Sequence, residues 1–154
     1  MIEQLWEKLQ EKWAWSSREI GPGIPYVSRD GIYQSKGEIS WWTNGFYPGI
    51  LWLLYGENGD EYYRQRAEEI ENQLDAVLME YDKLDHDIGF MWMLSAVADY
   101  RYTQNNWSRR RGLMAASLLA SRFVLRGRYI RAWNGKDTDG MAIIDCMMNL
   151  PLLY

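Results

Sequence analysis

Residues 86–103 read HDIGFMWMLSAVADYRYT, an almost wholly apolar stretch opened by the only histidine of the chain and an acid. A helix that is apolar nearly all round is one covered on every side, so this segment belongs inside a larger helical assembly. Two other segments read the same way, residues 41–55 (WWTNGFYPGILWLLY) and 141–154 (MAIIDCMMNLPLLY). Between them lie stretches of a different kind. Over residues 60–80 the apolar positions Tyr63, Ala67, Ile70, Leu74 and Val77 recur at intervals of 4, 3, 4 and 3 with charges between them, which predicts an amphipathic helix capped by Asp60 after the break GENG. Residues 2–16 predict a second amphipathic helix. Residues 107–126 predict a third, through Leu113, Ala116, Leu119, Ala120 and Phe123, ending near Gly127.

The order is thus amphipathic, buried, three times over, with no strand pattern. Three hairpins of one outer and one inner helix, roughly six helices, predict an all-α fold, an α/α toroid. Gly45, Pro48 and Pro151 blur the local boundaries, and residues 21–40 and 127–140 form the long connections, which in compact domains are often functional. The polar residues of the inner segments gather at their starts: Thr43 and Asn44, His86 and Asp87, and Asp145. Parallel inner helices bring these starts to one rim, where the helix dipole favours negative charge. This accounts for two polar residues opening a segment built for burial.

Composition narrows the function. A chain of 154 residues is one domain's worth, and its net charge of −4 comes from 21 acids and 17 bases without a basic block, which excludes a nucleic-acid surface. No apolar run approaches the roughly 20 residues needed to cross a bilayer, and the acid-bearing amphipathic start MIEQLWEKLQEKW is unlike a secretory signal. The single Cys146 excludes an internal disulfide and suits a reducing cytoplasm; beside Met147 and Met148 it reads as a small core residue. Nine Trp and eleven Tyr against three Phe supply flat faces with polar tips, suited to sugar clefts as well as to cores. The acids from Asp60 to Glu71 alternate with arginines as on a solvated helix face. A metal site from His86, Asp87 and Asp145 lacks a second His or Cys, so no metal and no cofactor is expected. Residue by residue, Asp87 also reads as a helix start, Asp145 as a partner of Arg131, and His86, Trp42 and Trp133 as core.

Taken together, four strings change that balance. WWTNGFYPGILWLLY, LDHDIGFMW, YIRAWN and IIDCMMNLPLLY resemble, in order and spacing, the motifs of the unsaturated glucuronyl hydrolases of glycoside hydrolase family 88. The resemblance runs from about residue 38 to the end. It implies an (α/α)6 barrel and a cytoplasmic, metal-free enzyme. Such enzymes remove 4,5-unsaturated uronic acid from the non-reducing end of lyase-generated oligosaccharides. It implies Asp145 as proton donor and water activator, Asp87 as its acidic partner, and His86, Trp42 and Trp133 as lining of the sugar site, with Asn44 as a neighbour. The chemistry suits these residues. The substrate is an enol ether, C4=C5–O5; one carboxyl group protonates C4 and later draws the proton from the water that adds at C5. That demands an acid still protonated near neutral pH, which a second carboxylate and burial provide. Asp87 is expected to stay charged and Asp145 to hold the proton.

By this resemblance residues 1–154 are one incomplete (α/α)6-barrel domain, the N-terminal half. Three hairpins leave an open half ring with apolar inner helices exposed along two edges, which predicts self-association through them. The competing readings are an unsaturated rhamnogalacturonyl hydrolase, and a catalytically inactive truncated remnant that binds sugar or protein.

Overall fold

The computed structural model describes residues 1–154, with every side chain except that of Tyr81. Helix α1 spans Ile2–Ile20. Asp60 accepts a hydrogen bond from the Tyr62 N–H at 2.9 Å, which satisfies a free donor in the first turn of α3 (Glu61–Leu78). The periodic set Tyr63, Ala67, Ile70, Leu74 and Val77 is buried, as its spacing predicts. It packs on α2 (Phe46–Asn58), which a 3-10 turn at Trp42–Gly45 leads in. Pro48 falls in the first turn of α2, where a missing N–H costs nothing. At Gly45 a Cβ would stand 2.5 Å from the Cα of Met91, so only glycine lets α2 and the following inner helix approach this closely.

The inner segment 87–103 is two helices, α4 (Ile88–Leu94) and α5 (Ala96–Thr103), where the sequence predicts one. Ser95 breaks it. Its backbone leaves the helical region and its hydroxyl donates to the Met91 carbonyl at 2.7 Å. Helix α6 (Asn106–Ser121), capped by Asn105 on the Trp107 N–H, stops five residues short of its predicted end at 126. The chain turns there into a two-residue antiparallel ladder, β3 (Phe123–Val124) with β4 (Tyr129–Ile130). A second ladder, β1 (Val27–Arg29) with β2 (Ile32–Gln34), sits in the 21–40 connection around an Asp30-Gly31 turn with both φ values positive. Strands of two or three residues are too short for alternation to show, so the expectation of no strands is corrected in both connections.

The third inner segment departs furthest. In residues 141–154 only α7 (Cys146–Asn149) and a 3-10 turn at Leu150–Leu153 form, and Ile144 is 88% exposed. The predicted all-round burial holds for Asn149 and Leu152 alone in this segment. Among the described residues no helix is long and apolar enough to cross a membrane.

A buried polar network ties α3, α5 and α6 together. Arg111 grips Asp75 with two bonds of 2.7 and 2.8 Å, and Trp52 donates to Glu71 at 2.9 Å. The Ser108 hydroxyl lies between Glu71, at 3.2 Å, and Asp99, with which it also bonds. One hydroxyl proton cannot serve two carboxylates, so a second proton belongs on one of them. Burial, and then the charge of Asp99, push the Glu71 carboxyl up to about 8, against the pull of Trp52, Arg111 and Ser108. The fold therefore prefers protonated Glu71, a stabilisation complete below the ordinary carboxyl range and lost as pH rises through about 8. Melting temperatures measured across pH should fall toward alkali less steeply in Glu71→Gln than in the wild type; parallel profiles would contradict this assignment.

Candidate active site

The site is assembled where three connections meet the start of α4. Arg122, just past α6, donates to the carbonyls of Leu84, Arg131 and Ala132 and to the Asn134 side chain, at 2.8–3.1 Å. Asn134 in turn donates to the carbonyls of Asp82 and Leu84 at 2.9 and 2.8 Å. The His86 N–H donates to the Ala132 carbonyl at 3.0 Å. These bonds stitch residues 82–86 to 131–134 and place the Trp133 ring edge-on to His86, centroids 6.0 Å apart.

Asn149 docks the third segment onto this frame. It is fully buried: its side-chain oxygen accepts from the Phe90 N–H at 2.9 Å, and its amide donates to Asp87 Oδ1 and to the Asp145 carbonyl, both at 3.4 Å. Gly89 makes room, since a Cβ there would lie 2.4 Å from the Cα of Asn149. With α7 seated on α4, both acids reach one histidine. His86 Nε2 lies 3.3 Å from Asp87 Oδ1 and 3.8 Å from Asp145 Oδ2, and His86 Nδ1 lies 3.2 Å from Cys146 Sγ. The 3.3 Å approach is misaligned for a hydrogen bond, so among the described residues Nε2 and Asp145 Oδ1 are buried atoms without a hydrogen-bond partner.

Burial lowers the His86 pKa against the opposing charges of Asp145 and Asp85, which keeps the ring neutral. The Asp87 carboxyl is pushed up to about 7, by burial first and by Asp85 next, while Asn149 and Arg122 hold it back. Asp87 is therefore not held charged as the sequence reading expects: the fold prefers it protonated, because its side chain is only 11% exposed.

Of the predicted site residues, His86, Asp87, Asp145 and Trp133 come together. Trp42 stands on the rim, 41% exposed, edge-on to Phe46 and Phe90 at centroid distances of 6.0 and 5.9 Å. Asn44 makes its hydrogen bonds to the 21–40 connection. It is buried and its amide donates to the carbonyls of Glu38 and Ile39 at 2.9 and 3.0 Å, which anchors the 21–40 connection. Arg131 makes no ion pair with Asp145 among the described residues. Cys146, read as core, is half-buried and faces His86; His86, Asp145 and Cys146 offer ligand atoms all within 4.8 Å of one another. Sequence reasoning missed Asn149, Asn134 and Arg122. The one available signal was the spacing of Asn149, four residues after Asp145 and so on the same helix face.

Replacing Gly89 by Ala should force α7 off α4, cost about 1–3 kcal/mol of stability, and speed alkylation of Cys146; unchanged alkylation in denaturant-matched wild type and variant would contradict the docking described.

Helical hairpins that gather two carboxyl groups and Trp133 at the start of an inner helix place the fold in the α/α class. No protein-family model matches the chain. It is 37% identical over 140 residues to the unsaturated glucuronyl hydrolase of Bacillus sp. (strain GL1), a match covering 88% of this chain and 37% of that protein. It is 36% identical over 116 residues to the unsaturated chondroitin disaccharide hydrolase of Streptococcus pyogenes serotype M1, covering 73% and 29% respectively. Its fold superposes on a solved unsaturated glucuronyl hydrolase variant with dGlcA-Glc-Rha-Glc, with a TM-score of 0.88, 34% identity, and 99% of this chain against 41% of that one. The crystal structure of the Bacillus sp. GL1 enzyme, described as responsible for the degradation of glycosaminoglycan, matches at a TM-score of 0.82 with 34% identity and the same coverage. The chain belongs to the unsaturated glucuronyl hydrolase family. It spans 37% of the length of the Bacillus relative. These relatives are named for glucuronyl and chondroitin-disaccharide substrates, which does not favour the rhamnogalacturonyl alternative.

Proposed function

We propose that this chain carries the acid pair of an unsaturated glucuronyl hydrolase, which releases 4,5-unsaturated uronic acid from lyase-generated oligosaccharides by hydrating the enol ether. The observation that carries the reading is the convergence of Asp87 and Asp145 on one neutral, buried histidine, 3.3 and 3.8 Å from its Nε2. With Asp87 raised to about 7, such a pair holds a proton near neutrality. Asp145, on the open side, is the group positioned to meet the substrate at C4, where it delivers the proton it shares with Asp87 as one coupled pair.

Protonation of C4 moves positive charge to C5 and O5, water adds at C5, and its proton returns to the carboxylate. The hemiketal so formed opens and frees the neighbouring sugar. The pair ends each turnover in its starting state. His86 and Trp133 line the inner side of the sugar site in this reading, and Trp42 offers a flat face at the rim. Support for the substrate class comes from the relatives, one solved with dGlcA-Glc-Rha-Glc and others named for chondroitin disaccharide. A cytoplasmic setting and residues 1–154 as one part of an (α/α)6 barrel belong to the same proposal. So does self-association. The inner helices α2, α4 and α5 leave an apolar groove of about 490 Å³ lined by Phe46, Ile50, Leu53, Met93, Ala98 and Tyr102.

The test is the near-UV-edge absorbance of an unsaturated uronyl disaccharide, whose C4=C5 bond is conjugated with its carboxylate. Wild type should bleach it, faster below than above about pH 7, and Asp145→Asn should do so at least about 100-fold more slowly. Equal bleaching by wild type and Asp145→Asn would overturn the assignment.

A further inference from the structure

We propose that His86, Asp145 and Cys146 form a binding site for a soft divalent cation of the zinc class. The argument begins with spacing. Two tetrahedral ligands at Zn–N and Zn–S distances of about 2.0 and about 2.3 Å lie about 3.5 Å apart. His86 Nδ1 and Cys146 Sγ are already 3.2 Å apart. Asp145 offers the third ligand: one ligand atom from each of His86, Asp145 and Cys146 lies within 4.8 Å of the others, and the Asp145 side chain is 39% exposed.

The surroundings fit this use of the ring. With the cation on Nδ1, the imidazole proton sits on Nε2, and Nε2 faces Asp87 Oδ1 at 3.3 Å. A carboxylate thus stands beside the ring nitrogen that the metal leaves free, the placement from which a carboxylate orients a metal-bound histidine once the pair aligns. The cation also gives a partner to Asp145 Oδ1, a buried atom with no hydrogen-bond partner among the described residues. His86 itself is held rigidly, 1% exposed and tied through its N–H to Ala132. A thiolate, an imidazole and a carboxylate select zinc or a similar ion over calcium or magnesium, whose ligands are oxygens. On binding, the S–H bond of Cys146 breaks, the S–metal bond forms, and the thiol proton passes to water. Three protein ligands leave a fourth position open to water or an anion.

The cation and the substrate then exclude each other, because an Asp145 carboxylate held by metal cannot carry a proton to C4. Only this consequence rests on the proposed hydrolase reaction. The site itself does not.

The full chain, with its thiol reduced, is titrated with Co²⁺ as a coloured stand-in for Zn²⁺. Cys146 is the only thiol, so a thiolate-to-cobalt charge-transfer band reports this site alone. Wild type should develop the band to one equivalent and lose it on adding Zn²⁺. Cys146→Ser, with its helix content checked by circular dichroism, should lack the band and bind more than about tenfold more weakly. As an independent reading on the unmodified chain, Zn²⁺ should slow alkylation of Cys146 by iodoacetamide at least about tenfold. No charge-transfer band in wild type, the same band in Cys146→Ser, or alkylation indifferent to Zn²⁺ overturns the site, whatever the outcome of the disaccharide assay.

Discussion

The close seat of α7 on α4 is the constraint on which the site depends. Asn149 fills a space that exists only because residue 89 lacks a side chain, and it satisfies the Phe90 N–H from within the core. A buried amide left without that acceptor would cost about 1–3 kcal/mol. The same side chain reaches Asp87 and the Asp145 carbonyl, so one residue fixes the separation of the two acids. Without it Asp145 would sit on a short, largely exposed turn with no reason to face His86.

The remainder of the frame works by similar economy. Arg122 and Asn134 spend their donors on backbone carbonyls of two connections, which holds His86 and Trp133 without a regular element. Trp42 is positioned through aromatic contacts with Phe46 and with Phe90, the residue whose N–H binds Asn149. Charge follows from burial. The more enclosed acid, Asp87, is the one raised toward neutrality, and the more open acid, Asp145, is the one available to a ligand.

Much of this was legible in the residues. The 4-3-4-3 spacing from Tyr63 to Val77 gave α3, the all-apolar segments gave the inner helices α2 and α4, and the polar starts of those segments gave the meeting of His86, Asp87 and Asp145. The rest was not legible for particular physical reasons. Ser95 breaks an apolar helix through a side-chain hydrogen bond that periodicity does not register. Residues 141–154 are apolar enough to predict burial, yet burial needs a partner surface, and Ile144 and Met147 remain 88% and 63% exposed. Asn44 shared a rim position with catalytic candidates but spends its amide on loop carbonyls. Cys146 looked like filler until the fold turned it toward His86.

His86 is the only histidine, so its ring nitrogens give an unambiguous NMR signal, and they lie within 3.8 Å of Asp87, Asp145 and Cys146. The most direct measurement is the ¹⁵N titration of that ring, alone and with an unsaturated uronyl disaccharide. The account predicts a ring that stays neutral to below the ordinary histidine range and whose shifts move with the unsaturated disaccharide but not with its saturated counterpart. A ring that titrates at its ordinary value and ignores both sugars would contradict it.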